Sequence, residues 1–331
     1  MRQRLLQLVD AFPSRKMAVV GDLIADEFLY GQISRVSREA PVLVLDYREL
    51  IRLPGGAANA ANNLLDLGCQ VTIGGAVGKD EAGRSLLGFL ENKGADVRLI
   101  HKPRLYSTPV KTRILAGAHH SAKQQVVRVD RASSADANVP PPLTSLVKSM
   151  QSVNGIILSD YGYGAITPAV TTDLRQLARR RSIPLVVDSR FRMLDYKEVT
   201  SITPNITELE AATGIRIGGD AGLLRKIGQR VLRKQKLRCL LVTQGRFGMT
   251  LFKPRAAPLH IPIFGTDEVA DVTGAGDTVI AVFTLALACG GSPEDSARLA
   301  NYAGGIVVMK RGTATVAREE LRAAIQNDLA L

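Results

Sequence analysis

Residues 17–21 read Met-Ala-Val-Val-Gly, an apolar run that ends in glycine and is followed by Asp22. Such a run is typical of a buried strand that leads into a turn. Similar runs occupy residues 71–77, 155–159, 185–188 and 239–243, and helical patterns such as 56–67 and 80–93 lie between most of them. This alternation predicts an α/β fold, a three-layer sandwich with a mostly parallel central sheet and helices on both faces.

Two stretches, residues 33–50 and 108–130, interrupt this alternation because they are rich in alternating β-forming residues. They predict a small separate sheet that forms a lid over the ligand-binding edge of the main sheet. A loop at 132–142, with prolines at 140–142, leads back from the lid. No Pro/Gly/Ser-rich linker divides the chain, so we expect residues 1–331 to form a single domain with lid segments at about 32–52 and 106–131.

The charge balance permits several kinds of partner. The chain has 43 basic and 31 acidic residues, a net charge of +12, which suits nucleic acid, anionic membranes or phosphorylated small molecules. The basic residues are densest at 179–181 and 225–238, where aromatic residues do not interleave with them. We therefore expect solvated helix faces there, and neither nucleic acid nor membrane as a partner.

Cysteine and histidine usage argues against a disulfide framework and a zinc site. The chain has only three cysteines, and its neighbouring histidines at 119–120 lack the spacing of a metal motif. The longest apolar run, 279–289, is shorter than the roughly 20 residues that a bilayer requires. With no signal-peptide pattern at residues 1–12, these features favour a cytoplasmic protein.

The segment 271–277 reads Asp-Val-Thr-Gly-Ala-Gly-Asp and precedes an apolar helix at 278–288. Backbone N–H groups of small residues at a helix start can converge on an anion, helped by the positive end of the helix dipole. Asp277 beside them could take a proton from an attacking hydroxyl, the combination that phosphoryl transfer needs. A glycine-rich loop with an N-capping aspartate would look the same, so the residues alone leave both interpretations open.

A second motif, residues 54–59, reads Pro-Gly-Gly-Ala-Ala-Asn. Its paired glycines allow backbone to approach a ligand closely, and Asn59 offers a donor and an acceptor to sugar hydroxyls, although a helix-initiating turn has the same pattern. Asp22 and Asp26 are candidates for binding vicinal hydroxyls, unless one of them caps the next segment. Polar residues at strand ends should gather at one edge of the sheet, namely Asp22, Asp26, Asp160, Asp188, Asn205 and Thr243.

Neither a P-loop nor a dinucleotide-binding glycine motif is present, so nucleotide binding must use another design. The motifs instead resemble those of the ribokinase-like (PfkB-type) carbohydrate kinases along nearly the whole chain. Gly55-Gly56-Ala57-x-Asn59-x-Ala61 is similar to the N-terminal signature of that family, and 271–277 to its C-terminal signature. Asn205-x-x-Glu208 resembles the family motif that helps to organise magnesium.

The resemblance implies an ATP-dependent sugar kinase and assigns roles to residues. Asp277 would be the catalytic base, beside an anion hole formed by the amides of Gly274, Ala275 and Gly276. The sugar site would include Asp26, Gly55, Gly56, Asn59 and Asp160. The nucleotide site would include Asp188, Arg190, Asn205, Thr243, Gly245, Gly248 and, near the adenine, Asn301. Asn205 and Glu208 would hold Mg²⁺ through water, and Asp271 and Thr273 match positions at which some members bind a monovalent cation.

Within the family, the chain most resembles heptose 7-phosphate kinases of ADP-heptose (lipopolysaccharide core) synthesis, through residues 34–42, 159–161, 203–208, 271–280 and 312–313. These enzymes phosphorylate the anomeric hydroxyl of a sugar that already carries a phosphate. Lys111, Arg113 and Arg128 resemble basic positions that could meet that phosphate, although each could equally be a solvated lid residue.

Two residues depart from the subfamily pattern: Tyr163 replaces a lysine, and Arg190 stands where Asp-Pro-Lys would end. The acceptor is therefore left open between heptose 7-phosphate and another sugar, sugar phosphate or nucleoside. A catalytically silent sugar- or nucleotide-binding regulator and a nucleic-acid binder are further alternatives. Because the sequence has no nucleotidyltransferase segment, we expect adenylylation to be carried out by another chain.

The lid should pair two copies into a homodimer, since its strand edges and its valines 42, 44 and 126 need cover.

Overall fold

A single long strand connects the two main parts of the molecule. The computed structural model describes residues 1–117, 123–132, 148–265, 271–310 and 312–328. Strand β1 (Lys16–Val36) is 21 residues long: its first part lies in the central sheet, and its second part lies in the lid sheet. The lid therefore starts about ten residues earlier than the sequence suggested, because the chain does not turn at Gly21. Position 21 requires glycine because there is no room for a side chain: a Cβ there would lie 2.2 Å from the carbonyl oxygen of Ser159.

The central sheet has six parallel strands in the order β4-β3-β1-β7-β8-β9. Its strands besides β1 are β3 (Gln70–Ala76), β4 (Asp96–His101), β7 (Gly155–Asp160), β8 (Leu185–Ser189) and β9 (Ser201–Ile202). Parallel strands require crossovers, and helices supply most of them. The predicted strands at 17–21, 71–77, 155–159 and 185–188 and their parallel arrangement are thus confirmed, whereas the predicted strand at 239–243 belongs to an antiparallel sheet.

Helices cover both faces of this sheet, as predicted. One hydrophobic core lies beneath α1 (Arg2–Asp10), α2 (Ala57–Asp66), α3 (Glu81–Asn92), α7 (Ala275–Ala288), α8 (Pro293–Val307) and α9 (Arg318–Asn327). A second core lies on the opposite face beneath α4 (Pro168–Arg181), α5 (Ile206–Thr213) and α6 (Ala221–Lys234). The arginines at 179–181 are exposed in the last turn of α4, where cations interact favourably with the helix dipole.

The lid sheet consists of β2 (Leu43–Gly56), the second part of β1, β5 (Val110–Gly117) and β6 (Gln124–Arg131), in that order. β1 pairs antiparallel with β2 and parallel with β5, and β6 pairs antiparallel with β5. On its outward face, the buried Glu27 accepts hydrogen bonds from Arg52, Thr112 and Arg131 at 2.7–2.8 Å, which ties three lid strands to β1.

A three-stranded antiparallel sheet, β10 (Leu240–Thr243), β11 (Met249–Phe252) and β12 (Leu259–Ile261), extends the central sheet at the β9 side. A parallel bridge between Asn205 and Thr243 joins the two sheets. The strand ends that carry the predicted nucleotide-binding residues are therefore next to each other. The histidines at 119–120 and the prolines at 140–142 lie outside the described residues. Across the described ranges, no helix has the length and apolar composition that crossing a membrane requires.

Candidate active site

Asp277 lies in the first turn of α7 but does not cap that helix. The N-cap residue is Gly274, with φ of +79°, and among the described residues no side chain caps this helix start. A Cβ on Gly274 would lie 2.6 Å from Asn59 Nδ2 and 2.8 Å from Thr313 Cγ2, so both conformation and space require glycine. The alternative interpretation, a loop closed by an N-capping aspartate, is therefore wrong.

The carboxylate of Asp277 is buried and receives two hydrogen bonds. Asn59 Nδ2 donates to Oδ2 at 2.9 Å, and the Tyr161 hydroxyl donates to Oδ1 at 3.2 Å. The pKa of Asp277 is raised from 3.8 to about 7, chiefly by burial and also by nearby Asp26, while the two donors and the Lys111 ammonium act in the opposite direction. A carboxylate with this pKa can accept a proton from a hydroxyl near neutral pH.

In this structure, Asn59 supports the carboxylate of Asp277. Its side chain is fully buried, and Asn63 Nδ2 lies 3.4 Å from its carbonyl oxygen, which leaves the Asn59 amide group to point at Asp277. Thr278 holds Asn63 in turn, through a hydrogen bond of 2.9 Å to Asn63 Oδ1. The sequence assigned Asn59 to sugar hydroxyls, but its burial and its partners make it a support for the carboxylate.

The backbone amides at the start of α7 are not all free. The N–H of Ala275 donates to the carbonyl of Val272 at 3.2 Å. Within the described residues, the N–H groups of Gly274, Gly276 and Asp277 have no hydrogen-bond acceptor. Of the three predicted anion-binding amides, Ala275 is therefore occupied, whereas Asp277 supplies an amide that the sequence analysis did not include.

Two predicted substrate ligands have structural partners instead. Asp22 is fully buried, and its oxygens accept the N–H groups of Tyr161, Tyr163 and Ala165 at 2.8–3.0 Å. Asp160 is also buried: it pairs with Arg192 at 2.8 Å and accepts a hydrogen bond from the Tyr196 hydroxyl at 2.6 Å. Both acids hold the loop after β7 in place, and neither presents a free oxygen to a sugar.

The inward face of the lid carries the other predicted substrate residues. Register places Asp26, Lys111 and Asp130 opposite one another, and Arg113 opposite Arg128. The Lys111 ammonium lies 4.5 Å from the centroid of the Tyr161 ring, so this face does point at the active site, as predicted. Lys111 is 9% exposed, and burial lowers its pKa from 10.5.

Two of the lid arginines are already paired. Arg113 Nη1 lies 2.7 Å from Asp26 Oδ1, with both side chains largely buried. Arg128 pairs with its own-strand neighbour Asp130 at 2.9 Å and remains about 40% exposed. The expectation that Arg113 is free to bind a substrate phosphate is therefore wrong for this structure, because its charge is committed to Asp26.

The paired glycines lie where backbone meets these side chains. A Cβ on Gly55 would lie 2.7 Å from Asp26 Oδ2, and one on Gly56 would lie 3.2 Å from Tyr161 Cε2 and 2.9 Å from the Asp22 carbonyl. Gly56 also has φ of +55°. Both positions therefore require glycine, so that the acid and the aromatic ring can approach the backbone.

The predicted nucleotide residues form a second group around the turn after β10. Gly248 has φ of +80°, and a Cβ there would lie 2.1 Å from the carbonyl oxygen of Ile261. Asn301 donates a hydrogen bond to the neighbouring Pro262 carbonyl at 2.8 Å. Thr243 and Gly245 line a cavity of about 740 Å³ together with Asn205, between this turn and the start of α6. Asp277 does not line this cavity.

Asp188, Glu208 and Arg190 lie between the two groups. Burial raises the pKa of Asp188 well above its usual range, as do the negative charges of Glu208, Asp277 and Asp160. Burial also raises the pKa of Glu208, while Arg190 lowers the pKa of both acids. Asn205 and Glu208 form a capping box at the start of α5, with hydrogen bonds of 2.8 and 3.0 Å.

These oxygen donors fit a magnesium ion that is held through water. Asp188 and Glu208 are both acids whose burial disfavours their charged forms, and a divalent cation nearby would stabilise those forms. Magnesium prefers oxygen ligands and retains bound water. No group of three or more His, Cys, Asp or Glu side chains that could hold a metal ion occurs in the described part of the chain. Asp271, the candidate for a monovalent cation, accepts the N–H groups of Thr273 and Gly312, so both of its oxygens are engaged in closing a turn.

The role of Tyr161 was not predicted from the sequence. The residue follows β7 in the segment Ser-Asp-Tyr, which was recognised only as part of a family pattern. An aromatic residue at a strand end gives no signal that its hydroxyl will reach an acid 116 positions later. Thr313 was missed as a contact for the same reason: its hydroxyl lies 3.4 Å from Asp26 Oδ2.

Comparison with known proteins places this site in a family. Residues 15–320 match the model of the pfkB family of carbohydrate kinases. The bifunctional protein HldE of Geobacter metallireducens is 44% identical over 308 residues, covering 92% of this chain and 61% of that protein. HldE of Stutzerimonas stutzeri is 40% identical over 321 residues, covering 96% of this chain and 65% of that protein. The chain thus spans about three fifths of the length of these relatives.

Solved structures show the same fold at low sequence identity. Arabidopsis thaliana ribokinase, complexed with ribose and ATP, has a TM-score of 0.76 at 18% identity, covering 95% of this chain and 99% of that one. Phosphofructokinase-2 from Escherichia coli, in complex with potassium, has a TM-score of 0.72 at 19% identity, covering 94% and 98%. These structures show the shared fold, and the family match over residues 15–320 establishes that the chain belongs to the pfkB family of carbohydrate kinases and is a phosphotransferase that acts on an alcohol group.

Proposed function

We propose that the protein transfers the γ-phosphoryl group of ATP to the anomeric hydroxyl of heptose 7-phosphate, in ADP-heptose (lipopolysaccharide core) synthesis. The observation that carries the kinase chemistry is Asp277, a buried carboxylate with a pKa of about 7 beside free amides at a helix start. The likeness to HldE proteins over more than nine tenths of the chain supports the acceptor. Since the chain spans only part of those proteins, the proposal covers phosphorylation alone.

Asp277 and the amides at the start of α7 have separate roles in the reaction. Asp277 takes the proton of the attacking hydroxyl as the sugar oxygen forms its bond to the γ-phosphorus. The bond from that phosphorus to the β,γ-bridging oxygen breaks, and ADP leaves. The N–H groups of Gly274, Gly276 and Asp277, at the positive end of α7, stabilise the negative charge on the moving phosphoryl oxygens.

Asn205 and Glu208 are the residues that would hold magnesium through water, and the ion would offset the charge of the ATP phosphates. The test is turnover in excess EDTA, which should abolish activity, followed by restoration with added magnesium. Undiminished turnover in EDTA would contradict the assignment. Potassium dependence can be measured in the same assay; a rate that does not change with potassium would remove the monovalent cation from the proposal.

The substrate's own phosphate needs cations away from Asp277, since two phosphates at one place would repel each other. Arg113 is committed to Asp26. Burial raises the pKa of Tyr163 and lowers that of Lys111, and Arg190 lies close enough to both to act on each pKa in the lowering direction. Arg128, across the opening on the lid, also lowers the pKa of Tyr163. We therefore place the sugar phosphate between Arg128 and Arg190, at Tyr163, one of the two departures from the subfamily pattern.

The experiment is an ADP-release screen over sugars, sugar phosphates and nucleosides that includes heptose 7-phosphate and its unphosphorylated counterpart. Heptose 7-phosphate should give the highest kcat/KM. The Arg190→Ala variant should raise KM for the phosphorylated sugar selectively, by roughly tenfold to a hundredfold for one charge-assisted contact. A strong preference for an unphosphorylated sugar or a nucleoside would overturn the acceptor assignment while leaving the kinase assignment intact.

A homodimer through the lid is part of the same proposal. The lid exposes Val42, Val126, Val127 and Val129, each with roughly half of its surface accessible, and Tyr47 is 63% exposed. Exposed apolar strand residues at a sheet edge favour association with another chain. Light scattering at micromolar concentration should give twice the monomer mass, and a strictly monomeric mass would refute the dimer.

A further inference from the structure

The lid and the catalytic carboxylate are connected by two side chains. The ammonium of Lys111, on lid strand β5, lies 4.5 Å from the centroid of the Tyr161 ring. The hydroxyl of that ring donates to Asp277 Oδ1 at 3.2 Å. A cation over an aromatic face is attracted by its quadrupole, more strongly when the cation is desolvated, and Lys111 is only 9% exposed. Lys111, Tyr161 and Asp277 therefore form a continuous path from the lid to the base.

Tyr161 is held in place from three sides. Its backbone N–H donates to the buried Asp22 at 2.8 Å, which fixes the start of the loop. Its ring lies against the backbone of Gly56, where a Cβ would come within 3.2 Å of it. Lys111 covers the ring from the lid. The first contact belongs to the body of the protein, and the second lies where lid strand β2 leads into α2. Lys111 is the side chain that the lid itself places on the ring.

Each oxygen of Asp277 has one donor: Asn59 for Oδ2 and Tyr161 for Oδ1. Since a carboxylate oxygen can accept two hydrogen bonds, each retains room for a sugar hydroxyl, while the two donors fix the plane of the group. The charged and titratable groups that face Asp277 are Asp26, Lys111, Tyr161 and Asp188. Burial and the charge of Asp277 hold the pKa of Tyr161 well above 10, so the hydroxyl stays a donor.

We propose that Tyr161 and Lys111 are positioning residues that couple the lid to the base: Tyr161 orients the Asp277 carboxylate and stabilises its ionised form, and Lys111 holds Tyr161 there. This inference rests on the proposed kinase function and names the groups that set the geometry and proton affinity of its base. Displacement of the lid removes Lys111 from the ring and from the neighbourhood of Asp277, so the base is fully prepared only beneath the closed lid.

The first test is the pH dependence of kcat and KM between pH 6 and 9 for Tyr161→Phe and Lys111→Met. Both substitutions keep the apolar bulk and remove one group that favours the ionised carboxylate, so the midpoint of the acidic limb should rise by about one pH unit. A rise from about 7 to about 8 lowers the ionised fraction at pH 7 by about fivefold. The loss should be in kcat, and it should largely disappear at pH 9, whereas a merely structural defect would persist at every pH.

The matched control is Tyr196→Phe. Tyr196 is buried and donates its hydroxyl at 2.6 Å to Asp160, a different strand-end acid. This variant should lower stability but leave the midpoint unchanged. In the Tyr161→Phe/Lys111→Met double variant, the shift should be smaller than the sum of the single shifts, because Lys111 acts partly through Tyr161.

A second measurement does not depend on turnover. In protein labelled with ¹³C at the aspartate carboxyl carbons, the signal missing from Asp277→Asn identifies Asp277, and its titration midpoint can be followed in each variant. A midpoint that rises in Tyr161→Phe and Lys111→Met supports the coupling, even if no sugar is phosphorylated and the proposed function fails. Unchanged midpoints in both folded variants would overturn the coupling, even in a fully active kinase.

Discussion

Replacing Asp277 by asparagine should abolish activity and stabilise the protein at the same time. The folded protein holds this carboxyl at a pKa of about 7, whereas an unfolded chain leaves it near 3.8. A group whose folded pKa is raised contributes stability that is fully present below the unfolded pKa and is lost as pH rises through the folded pKa. The window for Asp277 is therefore about pH 4 to 7, and the ionised form is destabilising above it.

The magnitude follows from the shift of about three units. Each unit corresponds to 1.36 kcal/mol, so ionised Asp277 costs about 4 kcal/mol at pH 8 and almost nothing at pH 3.5. Asparagine has nearly the same shape and still offers an oxygen to Asn59 or Tyr161. Urea unfolding of the two proteins should thus give a difference that grows from near zero at pH 3.5 to about 4 kcal/mol at pH 8. Removal of the general base should lower kcat by about 10²–10⁴ while ATP and sugar still bind.

A control of opposite sign is available at Asp80. Although partial burial acts to raise its pKa, hydrogen bonds from Gly83 and Thr108 outweigh that effect and hold the pKa below its usual value. Asp80→Asn should therefore be most destabilising at neutral pH, and its difference from wild type should shrink as pH falls. If Asp277→Asn gives no more stability at pH 8 than at pH 3.5, the raised pKa is refuted. Near-wild-type turnover in this variant would refute Asp277 as the base.

Three further substitutions test contacts around the site. Gly274→Ala places a methyl group against Asn59 at positive φ and should cost about 1–3 kcal/mol together with a fall in kcat, measured by urea unfolding and initial rates. Asp22→Ala leaves three loop amides without their acceptor and should cost at least 2–3 kcal/mol, and an unfolding midpoint equal to wild type would contradict that role. Arg113→Ala leaves Asp26 unpaired and should weaken the binding of phosphorylated and unphosphorylated sugars alike, in contrast to Arg190→Ala. If only the binding of the phosphorylated sugar is weakened, Arg113 binds the substrate phosphate after all.

The alternation of strands and helices could be predicted because it depends on the local periodicity of hydrophobic residues. Helix α2 was expected at 56–67 and is found at Ala57–Asp66, and α3 was expected at 80–93 and is found at Glu81–Asn92. The start of the lid could not be predicted, because Gly21 and Asp22 look like a turn and the following apolar residues fit either sheet. The lid begins where it does because β1 pairs with other strands along its entire length, first with β3 and β7 and then with β2 and β5.

The same division applies to the site. Small residues before a helix predicted the position of Asp277, because anion binding at a helix start is a local property. Its partners were not predictable, since Asn59 lies 218 positions away and meets it only where α2 packs beside α7. Asp22, Asp160 and Arg113 were assigned to substrate because carboxylates and cations suit sugars and phosphates. Their actual partners, which are loop amides, Arg192 and Asp26, could be found only from the folded arrangement.

The distribution of charge connects the lid to catalysis. In the body of the protein, Glu208 and Asp277 lie close enough to Asp188 to add to the effect of burial in raising its pKa, and Arg190 offsets the charges of Asp188 and Glu208. Lys111 and Arg113, which offset Asp277 and Asp26, stand instead on lid strand β5. An acid in a desolvated site without its counter-charge takes up a proton, and a protonated Asp277 cannot act as a base. Lid position and base ionisation are therefore linked, because the lid strand carries the positive charges that keep the site ionised.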